Sequence, residues 1–384
     1  MKSNLKNYKK GFVFDKMKAA LGEGLLTSDD ELWKRQRRLI QPTFHTKRLE
    51  RLMDIMMTII KKYVARWEDY RREGRVVRLD VEILELASDI VMSTLLGENF
   101  SQELPEVGEL IHAMQRYVMK LIRIPFFKPY SMLTGERRKF NRIKKEFDKV
   151  IVKIIQRRLE TQEEKDDLLG MLLNARDAET GEPMRMEQLQ DEFITIFVAG
   201  HETTAYAIGW SFYLLGKHPE MYAAMKAEAR GFELEASMNL ERYSALSFSN
   251  AVFKEAMRIY PPAYVLSRQA REKDQVQQFA VRKNTPVILS VFHLHRDQQF
   301  WEDPLSFRPD RFSQKKMSEE ERNYYYPFGG GPRMCIGKNF ALMESVLVLS
   351  SCFKELDYEL VSEEVEPTPI ITLKQKEGLH VRFK

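Results

Sequence analysis

The feature that most constrains this chain is a cysteine set between a glycine-rich run and an apolar helix. Residues 328–337 read F-G-G-G-P-R-M-C-I-G, and the thiol belongs to Cys335. The segment that follows, residues 337–355, is apolar on so much of its circumference that we expect a buried helix. The amino-terminus of a helix stabilises a thiolate through the helix dipole and free backbone N–H groups. The pattern therefore predicts a sulfur that can bind a soft metal centre.

The glycine-rich run has three interpretations: a phosphate loop, a plain turn before a core cysteine, or a cofactor-binding loop. Spacing excludes the first, since five residues separate Gly331 from Gly337 and Asn339 stands where Ser or Thr is required. For a lone cysteine the plain turn would be favoured. A thiolate can also ligate haem iron, with the ring of Phe328 shielding the sulfur and Arg333 suited to a carboxylate.

The run 328–337 resembles the haem-binding signature of the cytochrome P450 family in all of its fixed positions. The resemblance implies haem b (iron protoporphyrin IX) as cofactor and Cys335 as axial ligand of the iron. Phe328, Arg333 and Gly337 are then cofactor-binding residues. It further implies a mainly α (α+β), cytochrome P450-like fold with a long central helix over the haem and small β-sheets.

A second motif, V-A-G-H-E-T-T-A, lies in the middle of the longest predicted helix. Ala199 and Gly200 are small enough for a ligand to lie against the backbone. The hydroxyl of Thr203 can donate to the carbonyl four residues earlier, and Glu202 either carries protons inward or simply faces water. A zinc-protease site is excluded because His201 lacks a second histidine four positions later.

This second motif resembles the oxygen-activating helix of the same family. The resemblance implies that Thr203 hydrogen-bonds dioxygen, that Glu202 feeds a proton relay, and that Ala199 and Gly200 border the cofactor. The implied enzyme is a monooxygenase that inserts one oxygen atom from O2 into an apolar organic substrate. Similarity of the run A-G-H-E-T-T to fatty-acid hydroxylating members makes a fatty acid the first candidate. The alternatives are a peroxide-driven peroxygenase and a truncated haem-binding remnant without activity.

An E-x-x-R pattern places Glu255 and Arg258 on one face of a predicted helix. As a bare pattern it is typical of a weak surface ion pair. Followed by F-R-P-D-R-F, it resembles the family's structural Glu–Arg–Arg cluster, with Arg311 as third member and Arg308 as an adjacent alternative. The family commonly has Glu where this chain has Asp310.

Four donor groups match the family positions that bind haem propionates. Trp33 and Arg37 form a W-x-x-x-R pattern, and Arg268 and Arg333 are the third and fourth groups. Cations around two carboxylates are physically sensible. Taken one at a time, each residue would more simply be a surface residue.

Composition excludes several classes of protein. A chain of 384 residues, 43% of them hydrophobic, can bury a large core, and without a linker we expect a single haem domain over residues 1–384. Two cysteines argue against a disulfide scaffold and favour a reducing, cytoplasmic compartment. No apolar run reaches the roughly 18 residues of a membrane span, and a net charge of +5 does not predict nucleic-acid binding.

The ends of the chain raise two further expectations. Only 32 residues precede Trp33, so the domain is short at its amino-terminus relative to the family. We expect either a partial chain or a shortened variant, and a membrane anchor could be part of what is missing. The chain ends soon after the cysteine motif, so we expect a separate reductase: a flavodoxin, a ferredoxin or a flavoprotein reductase. The basic run W-K-R-Q-R-R is by default a solvated helix face. Lys34, Arg35 and Arg38 in this run, with Lys338, are also the predicted docking surface for that partner, and the two interpretations are compatible.

Periodicity completes the predicted organisation. His293 and His295 are interpreted as structural histidines, since two histidines without further ligands make a poor metal site. Residues 298–327 read as a long ordered loop. Helices are predicted over 29–41, 47–72, 81–96, 107–122, 136–161, 187–217, 219–230, 249–259 and 337–355, and strands over 76–80, 263–270, 278–282, 286–290, 356–362 and 378–384.

Overall fold

The computed structural model describes residues 4–96, 104–161, 167–234, 237–313, 317 and 323–384. Helices dominate this part of the chain, which confirms the predicted mainly α class. No described helix is long and apolar enough to cross a bilayer. The helices are Phe12–Leu21, Asp30–Ile40, Thr46–Leu49, Met53–Arg72, Leu79–Leu96, Leu104–Arg123, Phe127–Leu133, Glu136–Thr161, Leu168–Asn174, Met186–Lys217, Pro219–Arg230, Leu240–Ala245, Ser247–Ile259, Val291–Leu294, Asp310–Ser313 and Lys338–Glu355.

The strands form small sheets. One three-stranded sheet has the order Tyr8–Lys9, Val265–Ala270, Pro286–Ser290, and a second has the order Val76–Arg78, His380–Phe383, Tyr358–Leu360. In the second sheet Val381 pairs antiparallel with both Val77 and Leu360. Two antiparallel hairpins join Asp274–Val276 to Phe279–Val281 and Pro367–Pro369 to Leu373–Gln375.

The chain folds into two compact units that interleave along the sequence. The first unit comprises Met1–Thr43, Leu95–Val198 and Ser267–Leu289, and the second comprises Phe44–Thr94, Ala199–Leu266 and Ser290–Lys384. The helix Met186–Lys217, called the long helix below, contributes residues to both. The single haem domain over residues 1–384 stays a prediction.

The predicted helices are present, with ends that differ by at most three residues, apart from the one over 47–72. That segment consists of Thr46–Leu49, a 3-10 turn at Glu50–Leu52 and Met53–Arg72. Each predicted strand segment also contains a strand, shorter than predicted except at residues 286–290. Within the predicted loop 298–327, residues 314–316 and 318–322 lie outside the described chain, and Asp310–Ser313 forms one helical turn.

The helix Lys338–Glu355, called the cysteine helix below, forms the centre of the second unit. Every residue from Leu342 to Phe353 is buried, including the polar Glu344, Ser345, Ser350 and Ser351, as expected for a helix that is apolar on most of its circumference. It begins after Gly337, which offers no side chain to cap the first N–H groups. The first N–H groups of this helix therefore point toward the residues before it and have no capping side chain.

The helix Ser247–Ile259, called the arginine helix below, carries Glu255 and Arg258, whose side chains are fully buried. It stops where Pro261 and Pro262 follow, because proline cannot continue a helix. The guanidinium of Arg258 binds both oxygens of Glu255: Nε to Oε2 at 2.7 Å and Nη2 to Oε1 at 2.7 Å. The pair is thus a bidentate ion pair inside the core rather than a surface pair.

Two further groups converge on the Glu255 carboxylate. Nε of Arg311 lies 3.4 Å from Oε1, and the backbone N–H of Arg308 donates to the same oxygen at 3.0 Å. The guanidinium of Arg308 instead pairs with Asp310 at 3.5 Å and is 37% exposed. By side-chain geometry the second cation at this carboxylate is therefore Arg311 and not Arg308.

Substituting Arg258 by Ala should destabilise the fold strongly, because it leaves the Glu255 carboxylate buried with too little positive charge. The expected loss is about 3–5 kcal/mol of unfolding free energy. Arg308→Ala, which removes only exposed ion pairs, should cost about 0–1 kcal/mol. Urea unfolding followed by circular dichroism measures both.

Equal losses for Arg258→Ala and Arg308→Ala would contradict this account of the core. If Arg258→Ala yields no folded protein, Arg258→Lys provides the comparison. A lysine keeps the charge but cannot bind a carboxylate bidentately, so its loss should still exceed that of Arg308→Ala.

Candidate functional site

Two glycines in the left-handed region shape the cysteine loop, residues 328–337. Gly329 and Gly331 have φ values of +70° and +67°, a conformation that costs a residue with a Cβ about 1–2 kcal/mol. The N–H of Gly329 donates to the carbonyl of Tyr326 at 3.0 Å, and the N–H of Met334 donates to that of Gly331 at 3.0 Å. The loop is therefore closed by its own backbone just before the cysteine.

The thiol of Cys335 is exposed, whereas that of Cys352 is buried within the cysteine helix. The N–H of Cys335 donates to the carbonyl of Phe328 at 2.9 Å, so the loop folds back on itself immediately before the helix. Burial raises the pKa of Cys352 and keeps that thiol neutral. Cys335 instead lies three residues before the helix Lys338–Glu355, on the chain that leads into its amino-terminus. Of the two sulfurs, Cys335 is the one suited to bind a metal.

A cavity of about 120 Å³ adjoins the cysteine loop. Phe328 and Met334 contribute its apolar wall, and Lys254 and Lys338 contribute two ammonium groups. Burial, and then the charge of Lys338, lower the pKa of Lys254. Two lysines whose charges repel each other therefore lie beside this cavity, Lys254 on the arginine helix and Lys338 at the start of the cysteine helix.

In the long helix, the hydroxyl of Thr203 donates to the carbonyl of Ala199 at 2.7 Å, as the spacing predicts. Ala199 is exposed although it lies in mid-helix, while His201 and Thr204 are buried. Gly200 packs against Val91, since a Cβ at position 200 would lie 3.3 Å from a methyl group of Val91. Ala199 thus marks the open side of this helix, and Gly200 is a packing position.

Glu202 lies between the open and the buried sides of the helix and is half-buried. The phenol of Tyr206, one turn later, donates to its Oε1 at 3.3 Å. Burial, and then the charge of Glu202, raise the pKa of Tyr206, so the phenol stays protonated. Glu202 therefore has a neighbour that can donate a hydrogen bond but does not compete as a base.

The predicted propionate partners are divided between the units. Trp33, Arg37 and Arg268 belong to the first unit and Arg333 to the second. Nε of Arg37 donates to Oε1 of Gln41 at 3.0 Å, and Nη1 of Arg268 donates to the carbonyl of its own neighbour, Ser267, at 2.7 Å. Burial lowers the pKa of Arg268. An anionic partner beside this guanidinium would therefore stabilise its charged form. Binding of one cofactor by all four groups stays a prediction.

The basic run at 33–38 is largely compensated within the first unit. Arg35 and Arg38 each lie 3.4 Å from the buried carboxylate of Asp177, and Arg38 also lies 2.9 Å from Glu179. Lys34 pairs with Glu31 at 2.6 Å. These contacts favour the solvated helix face over a docking surface.

A haem needs a soft axial ligand and apolar surface that the protein's own side chains leave uncovered. In the second unit, the thiol of Cys335 is exposed, Met334 beside it is 38% exposed, and Ala199 is exposed in mid-helix. A sulfur donor together with uncovered apolar surface fits a thiolate-ligated haem. The residues present therefore suit the cofactor that the sequence predicts.

Comparisons with known proteins agree with this geometry. The family model for cytochrome P450 matches residues 2–381. Cyclooctatin synthase of Streptomyces melanosporofaciens is 31% identical over 349 residues, which cover 89% of this chain and 74% of that protein. Cytokinin hydroxylase of Arabidopsis thaliana is 30% identical over 379 residues, covering 95% and 72%.

A solved structure of a cytochrome P450DA haem domain superposes with a TM-score of 0.88 at 24% identity. The superposition covers 99% of this chain and 84% of that one, and it confirms the predicted fold. With a family model that spans nearly the whole sequence, the chain belongs to the cytochrome P450 family, the monooxygenases whose cofactor is haem b.

Proposed function

We propose that this protein hydroxylates an apolar organic substrate with one oxygen atom from O2 and electrons from a separate reductase. The observation that carries the proposal is the exposed Cys335, in a self-closed loop and before a helix whose residues 342–353 are all buried. Bound to a thiolate, haem b supplies the reductive activation of O2, because electron donation by sulfur favours O–O cleavage.

Cys335 would hold the iron, with Phe328 beside the sulfur. Gly337 and Ala199 offer backbone that a flat macrocycle can approach, and Gly200, which packs against Val91, would border the cofactor only through its main chain. The propionates would pair with Trp33, Arg37, Arg268 and Arg333. Guanidinium groups suit this purpose because their planar N–H donors match a carboxylate.

Thr203 and Glu202 would deliver protons to the site. Because the hydroxyl proton of Thr203 points to the carbonyl of Ala199, its oxygen lone pairs can accept a hydrogen bond from water. The carboxylate of Glu202, the residue before Thr203, can take protons from solvent and pass them inward. Tyr206 steadies that carboxylate through its hydrogen bond.

A fatty acid is our first candidate substrate, on the strength of the A-G-H-E-T-T run. Ala263, Tyr264 and Val265 would border the pocket, with the phenol of Tyr264 held by the carbonyl of Ile370 at 2.8 Å. The relatives carry names as different as cytokinin hydroxylase and cyclooctatin synthase, so a panel of apolar compounds is required.

The haem-loaded protein, supplied with NADPH and either a flavodoxin or a ferredoxin system, should convert at least one panel member to a product that carries 18O from 18O2. Mass spectrometry detects the label. Equal turnover with hydrogen peroxide alone would favour a peroxygenase. Bound haem without turnover under either supply would favour the inactive remnant.

Cys335→Ser should abolish thiolate ligation, because a serine hydroxyl is a poor ligand for haem iron. The Soret band of the reduced carbon monoxide complex distinguishes a thiolate from other ligands. Cys352→Ser is the matched control, since that sulfur is buried in the cysteine helix, and its band should equal that of the wild type. A wild-type band in Cys335→Ser would refute the ligand assignment.

Thr203→Val should uncouple electron consumption from product formation, because it removes the hydroxyl that positions a proton-donating water. We expect product per NADPH to fall by on the order of 10²-fold, a typical contribution of positioned proton transfer, with hydrogen peroxide formed instead. Thr203→Ser keeps a hydroxyl and should restore most of the coupling. Unchanged coupling in Thr203→Val would remove Thr203 from the proton path.

A further inference from the structure

A buried histidine connects the arginine helix to the chain that leads into the cysteine loop. The side chain of His295 has no exposed surface. Its Nδ1 lies 3.2 Å from the carbonyl oxygen of Arg258, and its Nε2 lies 2.8 Å from the backbone nitrogen of Tyr326. One imidazole ring thus bridges the end of the arginine helix and the residue two positions before Phe328.

The partners of the ring fix its tautomer. The N–H of Tyr326 can only donate, so Nε2 must accept, and Nδ1 carries the proton and donates to the carbonyl of Arg258. Burial, and then the positive charge of Arg258, lower the pKa of His295 to about 3. The ring is therefore neutral at physiological pH, and its acceptor stays available to Tyr326.

Neighbouring rings hold the imidazole in this orientation. Tyr325 stacks on it, with ring centres 5.3 Å apart and planes 23° apart, and Trp301 meets it edge-on at 6.3 Å. The backbone is fixed as well, because Nη1 of Arg258 donates to the carbonyl of His295 at 2.8 Å. His295 is thus a rigid acceptor aimed at a single backbone N–H.

From Tyr326 the hydrogen bonds continue to the thiol. The carbonyl of Tyr326 closes the turn at Gly329, and the carbonyl of Phe328, inside that turn, accepts the N–H of Cys335. The residue that His295 anchors therefore also fixes the turn on which the cysteine rests. Without the ring nitrogen of His295, the partly buried N–H of Tyr326 loses this acceptor, and the start of the loop is no longer held in place.

We infer that His295 is a positioning residue for the sulfur ligand: its hydrogen bond to Tyr326 sets where the cysteine loop starts and hence where Cys335 meets the iron. The inference rests on the proposed role of Cys335. Sulfur displaced from its position binds the iron less well as a thiolate, so haem without a thiolate ligand becomes more abundant.

Two substitutions separate this role from a general contribution to stability. In His295→Gln, the amide oxygen can reach the position of Nε2 and accept from Tyr326. In His295→Asn, the shorter amide can replace Nδ1 and donate to Arg258 but leaves Tyr326 without an acceptor. His295→Leu removes both bonds. His293→Leu is the control, because His293 is exposed and its ring bonds only to Ser290 among the contacts described.

The readout is the Soret band of the reduced carbon monoxide complex, with haem content and the thermal unfolding midpoint of each variant. In His295→Asn and His295→Leu, the ratio of haem without a thiolate ligand to haem with one should rise by on the order of tenfold, as expected for the loss of one hydrogen bond. His295→Gln and His293→Leu should keep the wild-type ratio.

Equal ratios in His295→Asn and His295→Gln would overturn the inference, because the bond to Tyr326 would then not control the sulfur. So would a wild-type ratio in His295→Leu, whatever its unfolding midpoint. Failure of the proposed function is distinguishable, because the wild type itself would then show no thiolate band.

Discussion

The guanidinium of Arg258 is the contact on which the second unit depends. All five of its N–H donors are used: two bind Glu255, and three bind the carbonyls of His295, Pro304 and Ser306. Burying an ion pair is costly unless its geometry is good and the remaining donors are satisfied. Both conditions hold here, and the same bonds fix three positions in the segment that follows the arginine helix.

That segment leads to the cysteine loop, so the buried ion pair and the exposed thiol belong to one structural system. Arg258 donates to the carbonyl of His295 and so holds its backbone, and the ring of His295 accepts the N–H of Tyr326. Tyr326 is connected to Cys335 by two further hydrogen bonds: its carbonyl accepts the N–H of Gly329, and the carbonyl of Phe328 accepts the N–H of Cys335. A rigid support of this kind suits a ligand, because a sulfur that moves by a fraction of an ångström changes its bond to a metal.

Sequence reasoning succeeded where the cause was local or periodic. The cysteine helix is buried because its apolar residues surround it, and Thr203 reaches Ala199 because residues four apart share a helix face. The family signature added what no periodicity contains, the haem and the fold, and the comparisons confirm both. The roles that it implies for residues far apart stay predictions. Sequence periodicity did not predict the 3-10 turn at Glu50–Leu52 or helices as short as Leu240–Ala245, since a few residues carry no clear period.

The contacts that could not be predicted are those between distant segments. Tyr326 lies 31 residues from His295, and the bond uses a backbone N–H that no side-chain pattern reveals. The pairing of Arg35 with Asp177 and the packing of Gly200 against Val91 likewise depend on tertiary structure. The sequence predicts His295 to be a structural histidine but does not give its partners, because those depend on what its two ring nitrogens bind in the folded chain.

The most direct test of the account is X-ray absorption at the iron edge of the purified, haem-loaded protein. The account predicts one sulfur atom among the nearest neighbours of the iron, in addition to the four porphyrin nitrogens. An iron surrounded by nitrogen and oxygen atoms, with no sulfur neighbour, would contradict it.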